Sequence, residues 1–242
     1  MKQKALLGFV IFISFAASAQ KTARTVEERC GTMTRLAAKF ERNPALKARF
    51  ENQRTQFNEA LREGQFKSFE RTAREAGSGE RTFTSIPVVF HIVSRTPANI
   101  TDLQIQAQLD SLNKDFAGIN ADSSKIPAYF KPLFGKSGIQ FCLARRTPRN
   151  ENTSGIERIT TSQNSFSSND NIKHASTGGA DAWDTEKYFN VWLGTLSNNL
   201  LGYSTFPNEG PASEQGVVID SRTLPRGSFT DYNTGKTLVH ET

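Results

Sequence analysis

Cysteine is scarce in this chain: 242 residues carry two, Cys30 and Cys142. So few exclude a disulfide-built scaffold and leave stability to core burial, for which the length is ample. The two are free to pair with each other or to stay apart. Cys142, in an apolar stretch, reads as a buried inert thiol or as half of a disulfide with a partner past the end. Histidine is nearly as rare, at three residues. Beyond residue 20 no apolar run approaches the ~20 residues of a membrane span. There is no internal repeat, no low-complexity tract, no G-x-S-x-G elbow and no Cys/His arrangement of a cysteine protease. Thr234-Gly235-Lys236-Thr237 mimics the end of a phosphate loop, but Thr230 stands where that loop needs its first glycine. Serine, cysteine and nucleotide-phosphate chemistries therefore have no support.

What is present begins with a leader. Lys2 and Lys4 precede an apolar run, Ala5 to Ala17, and Ala17-Ser18-Ala19 is an A-x-A-like cleavage site, so residues 1–19 read as a secretory signal peptide. The expected location is extracellular or periplasmic, with no membrane association after cleavage. The formal charge of +6 is unevenly spread: residues 21–81 hold 14 Lys+Arg against 9 Asp+Glu, and residues 82–242 hold 14 against 15. A basic third on a nearly neutral body is not a nucleic-acid-binding domain. It suits a helical segment with an arginine-rich solvated face, or one that docks on an acidic surface.

Residues 20–81 read as helical. Asn43-Pro44 combines an N-cap with proline at the first helical position, and Leu46, Phe50, Phe57 and Leu61 share a face. Gly64 ends that helix, and Phe66 and Phe69 begin a second apolar patch. The flexible stretch 76–81, ending in Arg81, marks a boundary and a candidate cleavage point. From 82 to 242 the pattern becomes mixed α/β. Ile86–Val93 is a strand buried on both faces. Thr101 and Asp102 start a helix with an apolar stripe of Leu103, Ala107, Leu109, Leu112 and Phe116. Further strands fall at 139–144, 155–161, 188–193 and 216–220, and Ser162–Asn171 is a polar loop. A last helix opens near Thr234 and ends in His240-Glu241-Thr242.

Eight blocks in order, IPVVFHIV (86–93), LNKDFAGINAD (112–122), GIQFCLA (138–144), STGGADAWD (176–184), YFNVWLG (188–194), LGYSTFP (201–207), GVVID (216–220) and GKTLVHE (235–241), resemble the pappalysin or cytophagalysin-like zinc metalloendopeptidases of the metzincin clan. The resemblance implies an α+β (mixed α/β) metzincin-like N-terminal subdomain: a twisted, mixed five-stranded sheet, a backing helix and the start of the active-site helix, preceded by a helical propeptide. It further implies Zn2+ as cofactor, with His240 the first ligand and Glu241 the general base of a motif HExxHxxGxxH. In that motif two histidines at i and i+4 share one helix face, and the glutamate polarises a zinc-bound water. Calcium stays open, without support in this sequence. Leu201, Gly202 and Tyr203 would lie on an edge strand that binds protein or peptide substrates by main-chain hydrogen bonds.

Cys30, in Arg29-Cys30-Gly31, would be a propeptide latch on the zinc or a merely structural cysteine. His91 reads as a satisfied core histidine, and His174 as a structural hydrogen-bonding residue before the Gly178-Gly179 turn. Asp220 and Asp231 brace loops, hold a cation or are simply solvated. Because the motif breaks off after Thr242, the resemblance implies a truncated, inactive fragment of a secreted zymogen; the alternative is a catalytically dead secreted module that keeps the cleft and binds peptides or a partner. Oligomeric state is not legible. On the first reading, sequencing the gene past codon 242 is expected to give x-His-x-x-Gly-x-x-His; any other continuation removes it.

Overall fold

The computed structural model describes residues 29–64 and 84–242. The signal peptide, the Phe66/Phe69 patch and the 76–81 junction with Arg81 fall outside these residues. Two helices come first, α1 (Thr32–Arg42) and α2 (Pro44–Arg62). The body follows as β1 (Thr84–Ser94), α3 (Asp102–Phe116), β2 (Ile139–Leu143), β3 (Ile156–Thr160), β4 (Phe189–Gly194), β5 (Gly202–Ser204), β6 (Val217–Asp220) and α4 (Lys236–Glu241). The fold is mixed α/β, and the sheet has six strands where the sequence suggests five.

The five strands read from the sequence pattern are β1, β2, β3, β4 and β6, and the sixth is the short edge strand β5, where the resemblance places Leu201 to Tyr203. β1 is eleven residues long, and its even-numbered residues bond β2 along one half and β3 along the other, both parallel. Two short strands thus lie end to end beside one long one, and the sheet reads β2-β1-β4-β6-β5 with β3 beside β1. Pro87 lacks an N–H on the side facing β4, but the β4 ladder begins only at Val88, so no bond is forfeited. All pairs are parallel except β5 with β6, which places β5 antiparallel at the edge.

Alternation along β1 sends Val88, Phe90 and Ile92 to one face and Val89, His91 and Val93 to the other. The first face packs on Ile105, Leu109 and Leu112 of α3 and Leu238 of α4. The second is covered by loops carrying Phe166, Ile172 and Leu196, packed with Trp192 and Tyr203. β1 is therefore buried on both faces, as its continuous hydrophobicity implies. His91 lies fully buried against Trp192, with ring centroids 5.1 Å apart. Its Nδ1 lies 2.7 Å from Glu157 Oε2 and its Nε2 lies 2.9 Å from Asn190 Oδ1, the arrangement of a core histidine.

Thr101 and Gln104 close a reciprocal capping box on α3, and Asn43 caps α2 through Leu46 N–H, with Pro44 at the first position. The apolar stripe of α3 differs from expectation by one position. Leu103 is 81% exposed, while Ile105 is buried with Leu109 and Leu112. One helical period of about 3.6 residues back from Leu109 lands on Ile105 and not on Leu103. The buried reading of Cys142 is corrected too: the residue is exposed, and it is not paired with Cys30. Strand alternation on β2 turns Phe141 inward and Cys142 outward. On α2 only the first half of the expected face is used. Leu46 is buried, and Phe50 packs against Phe40 and Phe206, whereas Phe57 and Leu61 remain about half exposed.

The basic N-terminal segment does dock on acids. Arg35 of α1 pairs through Nη1 with Asp170 Oδ2 at 2.9 Å and through Nη2 with Glu209 Oε1 at 2.6 Å. One turn on, Lys39 Nζ pairs with Glu214 Oε2 at 2.7 Å. Lys173 joins Asp170 from below at 2.9 Å and donates to Thr205 Oγ1 and Glu214 O; its burial lowers it to about 8. Asp220 is buried, accepts from Leu196 N–H and pairs with Arg222, so it braces loops, whereas Asp231 is exposed. The His174 carbonyl accepts from Thr177 and Gly179 N–H, closing the turn it precedes.

Two outcomes follow from this packing. Leu112→Ala removes a fully buried side chain from the main core and is expected to cost about 2–5 kcal/mol in denaturant unfolding. Leu103→Ala, on the exposed side, should stay within about 0.5 kcal/mol; equal effects would contradict the observed face. For Asp170, burial raises the carboxyl, but Lys173, Arg35 and Lys39 together hold it below its ordinary value of 3.8. A carboxyl more acidic in the folded state gives stability that is complete above the unfolded value and lost as pH falls through the folded one. Thermal unfolding midpoints are accordingly expected to drop between about pH 5 and pH 3, with a flatter acid limb in Asp170→Asn. An unchanged limb would contradict it.

Candidate metal centre

The site grows from the contact between the N-terminal segment and the sheet edge. Leu201 N–H donates to Arg29 O at 2.8 Å, and Gly31 N–H donates to Gly202 O at 2.9 Å, so Cys30 pairs with Gly202 in the parallel sense. Ser204 N–H donates to Thr32 Oγ1 at 2.9 Å. Alternate residues of β5 face outward, which separates the three residues expected on this edge. Leu201 and Gly202 bond the segment, while Tyr203 lies opposite Val218 with its ring fully buried. It is Ser204, and not Tyr203, whose N–H meets the segment.

From beneath, α4 brings up His240 and Glu241. Its N-terminal Gly235 has φ +81, and an added Cβ there would meet Ser111 at 2.9 Å, so glycine lets α4 start hard against α3. Gln108 Nε2 donates to Gly235 O at 2.9 Å, and Lys236 Nζ pairs with Asp115 at 2.6 Å. The helix then carries Leu238 into the core, His240 to the exposed side and Glu241 into a buried position. Gly202 makes room for that glutamate: a Cβ there would stand 3.1 Å from Glu241 Cγ and 2.8 Å from Val218 O.

Ligand-capable atoms of Cys30, His240 and Glu241 all lie within 4.8 Å of one another, although the first comes from the opposite end of the described chain. The Cys30 thiol donates to Glu241 Oε2 at 3.6 Å, and Thr32 Oγ1 donates to the same oxygen at 2.9 Å. Burial pushes the Glu241 carboxyl above its ordinary range, against the opposing pull of these two bonds and of His240. Burial likewise pushes the Cys30 thiol up. One sulfur, one imidazole nitrogen and a nearby carboxylate form a donor set that fits a borderline-soft divalent ion such as zinc. Beside them opens a cavity of about 540 Å3 lined by Met33, Tyr188, Phe189, Phe206 and Val217 among others.

His91 and His174 do not enter this site; the core and a loop turn hold them. Thr32 is missing from the residues that sequence reasoning singles out, as are Asp170, Lys173, Glu209 and Glu214. The available signal is the i,i+4 pair Arg35 and Lys39 in a basic segment, which calls for acids somewhere on the body without saying which ones.

No family model matches the chain. Among curated proteins it is 30% identical over 173 residues to an extracellular metalloprotease of Arthroderma otae, which covers 69% of this chain and 52% of that protein. It is 32% identical over 195 residues to an extracellular metalloprotease of Uncinocarpus reesii, covering 72% and 58% respectively. The chain thus spans about half the length of the curated relatives it matches. Among solved structures it resembles a Tannerella forsythia promirolysin mutant with a TM-score of 0.66 and 32% identity, over 88% of this chain and 67% of that one. Mature mirolysin from the same organism, in complex with a cleaved peptide, gives a TM-score of 0.63 and 40% identity over 66% and 61%. With the same fold and this level of identity across most of its length, the chain belongs to the metalloprotease family that these enzymes represent.

Proposed function

We propose that the whole protein is a secreted, zinc-dependent metalloendopeptidase made as a zymogen, with residues 20–81 as its inhibitory segment and residues 82–242 as the N-terminal part of its catalytic domain. The observation that carries this reading is the convergence of the Cys30 thiol, the His240 imidazole and the Glu241 carboxyl beside a sheet edge. His240 would hold the zinc, with Cys30 as an additional ligand while the segment is in place. When bound, zinc supplies a Lewis acid that lowers the pKa of water toward neutrality.

The chain's own residues perform the remaining tasks. Glu241, held beside His240 by α4 and kept against β5 by the bare Gly202, takes a proton from the attacking water and carries it to the departing amine. Its raised carboxyl, which burial causes, suits a group that must both accept and release a proton. Outward main-chain groups of Leu201, Gly202 and Ser204 hold an extended peptide, the role the segment 29–32 fills here. Binding through main chain favours peptides of many sequences. Thr32 and Cys30, bonded to Glu241, keep the base engaged until the segment leaves.

The test uses the complete protein. Glu241→Gln is expected to lower peptide hydrolysis by about 10²–10⁴-fold while zinc content, read by elemental analysis, stays at the wild-type value. Cys30→Ala in the precursor is expected to raise activity before any segment is removed. Undiminished turnover in the first variant, or an unchanged latent precursor in the second, would overturn the corresponding role.

A further inference from the structure

Away from the cleft, the loop that joins α3 to β2 turns apolar side chains outward. Ile119, Tyr129, Phe130, Leu133 and Phe134 are all exposed, Tyr129 at 83% and Leu133 at 77%. Nothing else among the described residues gathers so many large apolar groups on the outside in one short stretch. Side chains scattered singly in this way need no explanation, but a cluster does. The cluster is also held in shape. Phe130 N–H donates to Pro127 O at 2.9 Å and Leu133 N–H to Phe130 O at 3.0 Å, which closes a tight turn around Lys131–Leu133. The rings of Tyr129 and Phe130 meet edge to face, 5.2 Å between centroids. Phe134 and Lys136 lie close over Gly118, next to Ile119. Ser137 ties the end of the loop back to α3, its N–H and its hydroxyl each donating to Phe116 O at 2.9 Å.

The charge around the cluster has one sign. Asp115 pairs with Lys236, and Asp122 pairs with Lys236 and Lys125, so the two acids of the stretch are neutralised within the fold. Lys114, Lys131 and Lys136 are exposed and have no acidic partner among the described residues. The place is also distinct from the metal centre. The loop leads into β2, and β1, β4 and β6 separate β2 from β5, about 19 Å at the ordinary strand spacing. An occupant of the loop therefore stands away from the edge strand that borders His240 and Glu241.

We propose that the loop 119–136 is a docking surface for an anionic lipid bilayer, with Tyr129, Phe130 and Leu133 entering the headgroup layer and Lys131 and Lys136 meeting the lipid phosphates. Aromatic and leucine side chains ringed by lysine suit the boundary between headgroups and acyl chains, where a lysine stem lies along apolar surface and its ammonium stays in water. A second copy of the chain would set these cations against their own kind. An acidic protein would answer the charge, but side chains that project this far call for a soft apolar layer to enter. No helix among the described residues is long and apolar enough to cross a membrane, so the attachment is peripheral. The expectation of no membrane association is drawn from the lack of a span and does not bear on a surface loop. The proposal stands apart from the peptidase reading, because it uses none of the residues of the metal centre.

The experiment sediments the complete natural protein with vesicles of phosphatidylcholine alone or with about 30% phosphatidylglycerol, a surface that attracts basic segments by about 1 kcal/mol per lysine. Binding to the anionic vesicles is expected to be at least about tenfold tighter than to the neutral ones. Lys131→Gln with Lys136→Gln should bring the two near parity. Phe130→Ser with Leu133→Ser should weaken binding to the anionic vesicles about tenfold, while the melting temperature and the hydrolysis of a soluble peptide keep their wild-type values. Failure to sediment with anionic vesicles overturns the proposal, as does full binding by the Phe130/Leu133 variant, which would leave only unspecific attraction of charge. Sedimentation velocity without lipid supplies the remaining arm: dimers that this same variant abolishes would assign the patch to a second copy and overturn the bilayer. Loss of peptide hydrolysis in the wild type with vesicle binding intact would count against the peptidase reading alone.

Discussion

β1 bonds β2 and β3 on one side and β4 on the other, and both its faces are covered. Everything that matters for the site is measured from that strand. β4 and β6 step outward from it in parallel, and β5 closes the sheet in the opposite sense, so the one antiparallel edge falls beside α4. α3 packs against the same face of β1 that receives α4, and through Gln108, Ser111 and Asp115 it fixes where the short terminal helix starts. Residues with no chemistry of their own thereby decide where His240 and Glu241 sit.

Much of this is legible in the sequence. The continuous apolar run 86–93, the Thr101 box and the Asn43-Pro44 pair each carry a local physical signature, and the structure holds each at its expected place. The failures share a cause. Leu103, Phe57 and Leu61 are apolar residues at helix-compatible positions, and only the neighbouring elements decide whether such a residue is covered. The apolarity of its stretch points Cys142 inward, when alternation on a strand with one covered face is the stronger constraint. The five strands of the sequence pattern leave out β5, because three residues at a sheet edge are too few to carry an alternation of their own.

The site divides along the same line. His240 and Glu241 can be named because adjacency in sequence is adjacency on a helix. The contact of Cys30 with Glu241 spans 211 positions, and the carboxylates around Arg35 come from separate loops far from it in the chain. No local pattern encodes such meetings; they arise from the register of β5 against β6 and from the choice of which residues face outward. The charge asymmetry between the two parts of the chain is a trace of this contact, visible as composition before it is visible as geometry.

Residues 29–32 lie along β5 and bond its outward groups. An uncovered sheet edge is a template for any extended chain, including another copy of the same protein. While the segment stays in place, that row of donors and acceptors on β5 is taken. On the proposed reading, loss of the segment would open that edge to a foreign peptide and to a second copy alike, and the same few hydrogen bonds would govern both.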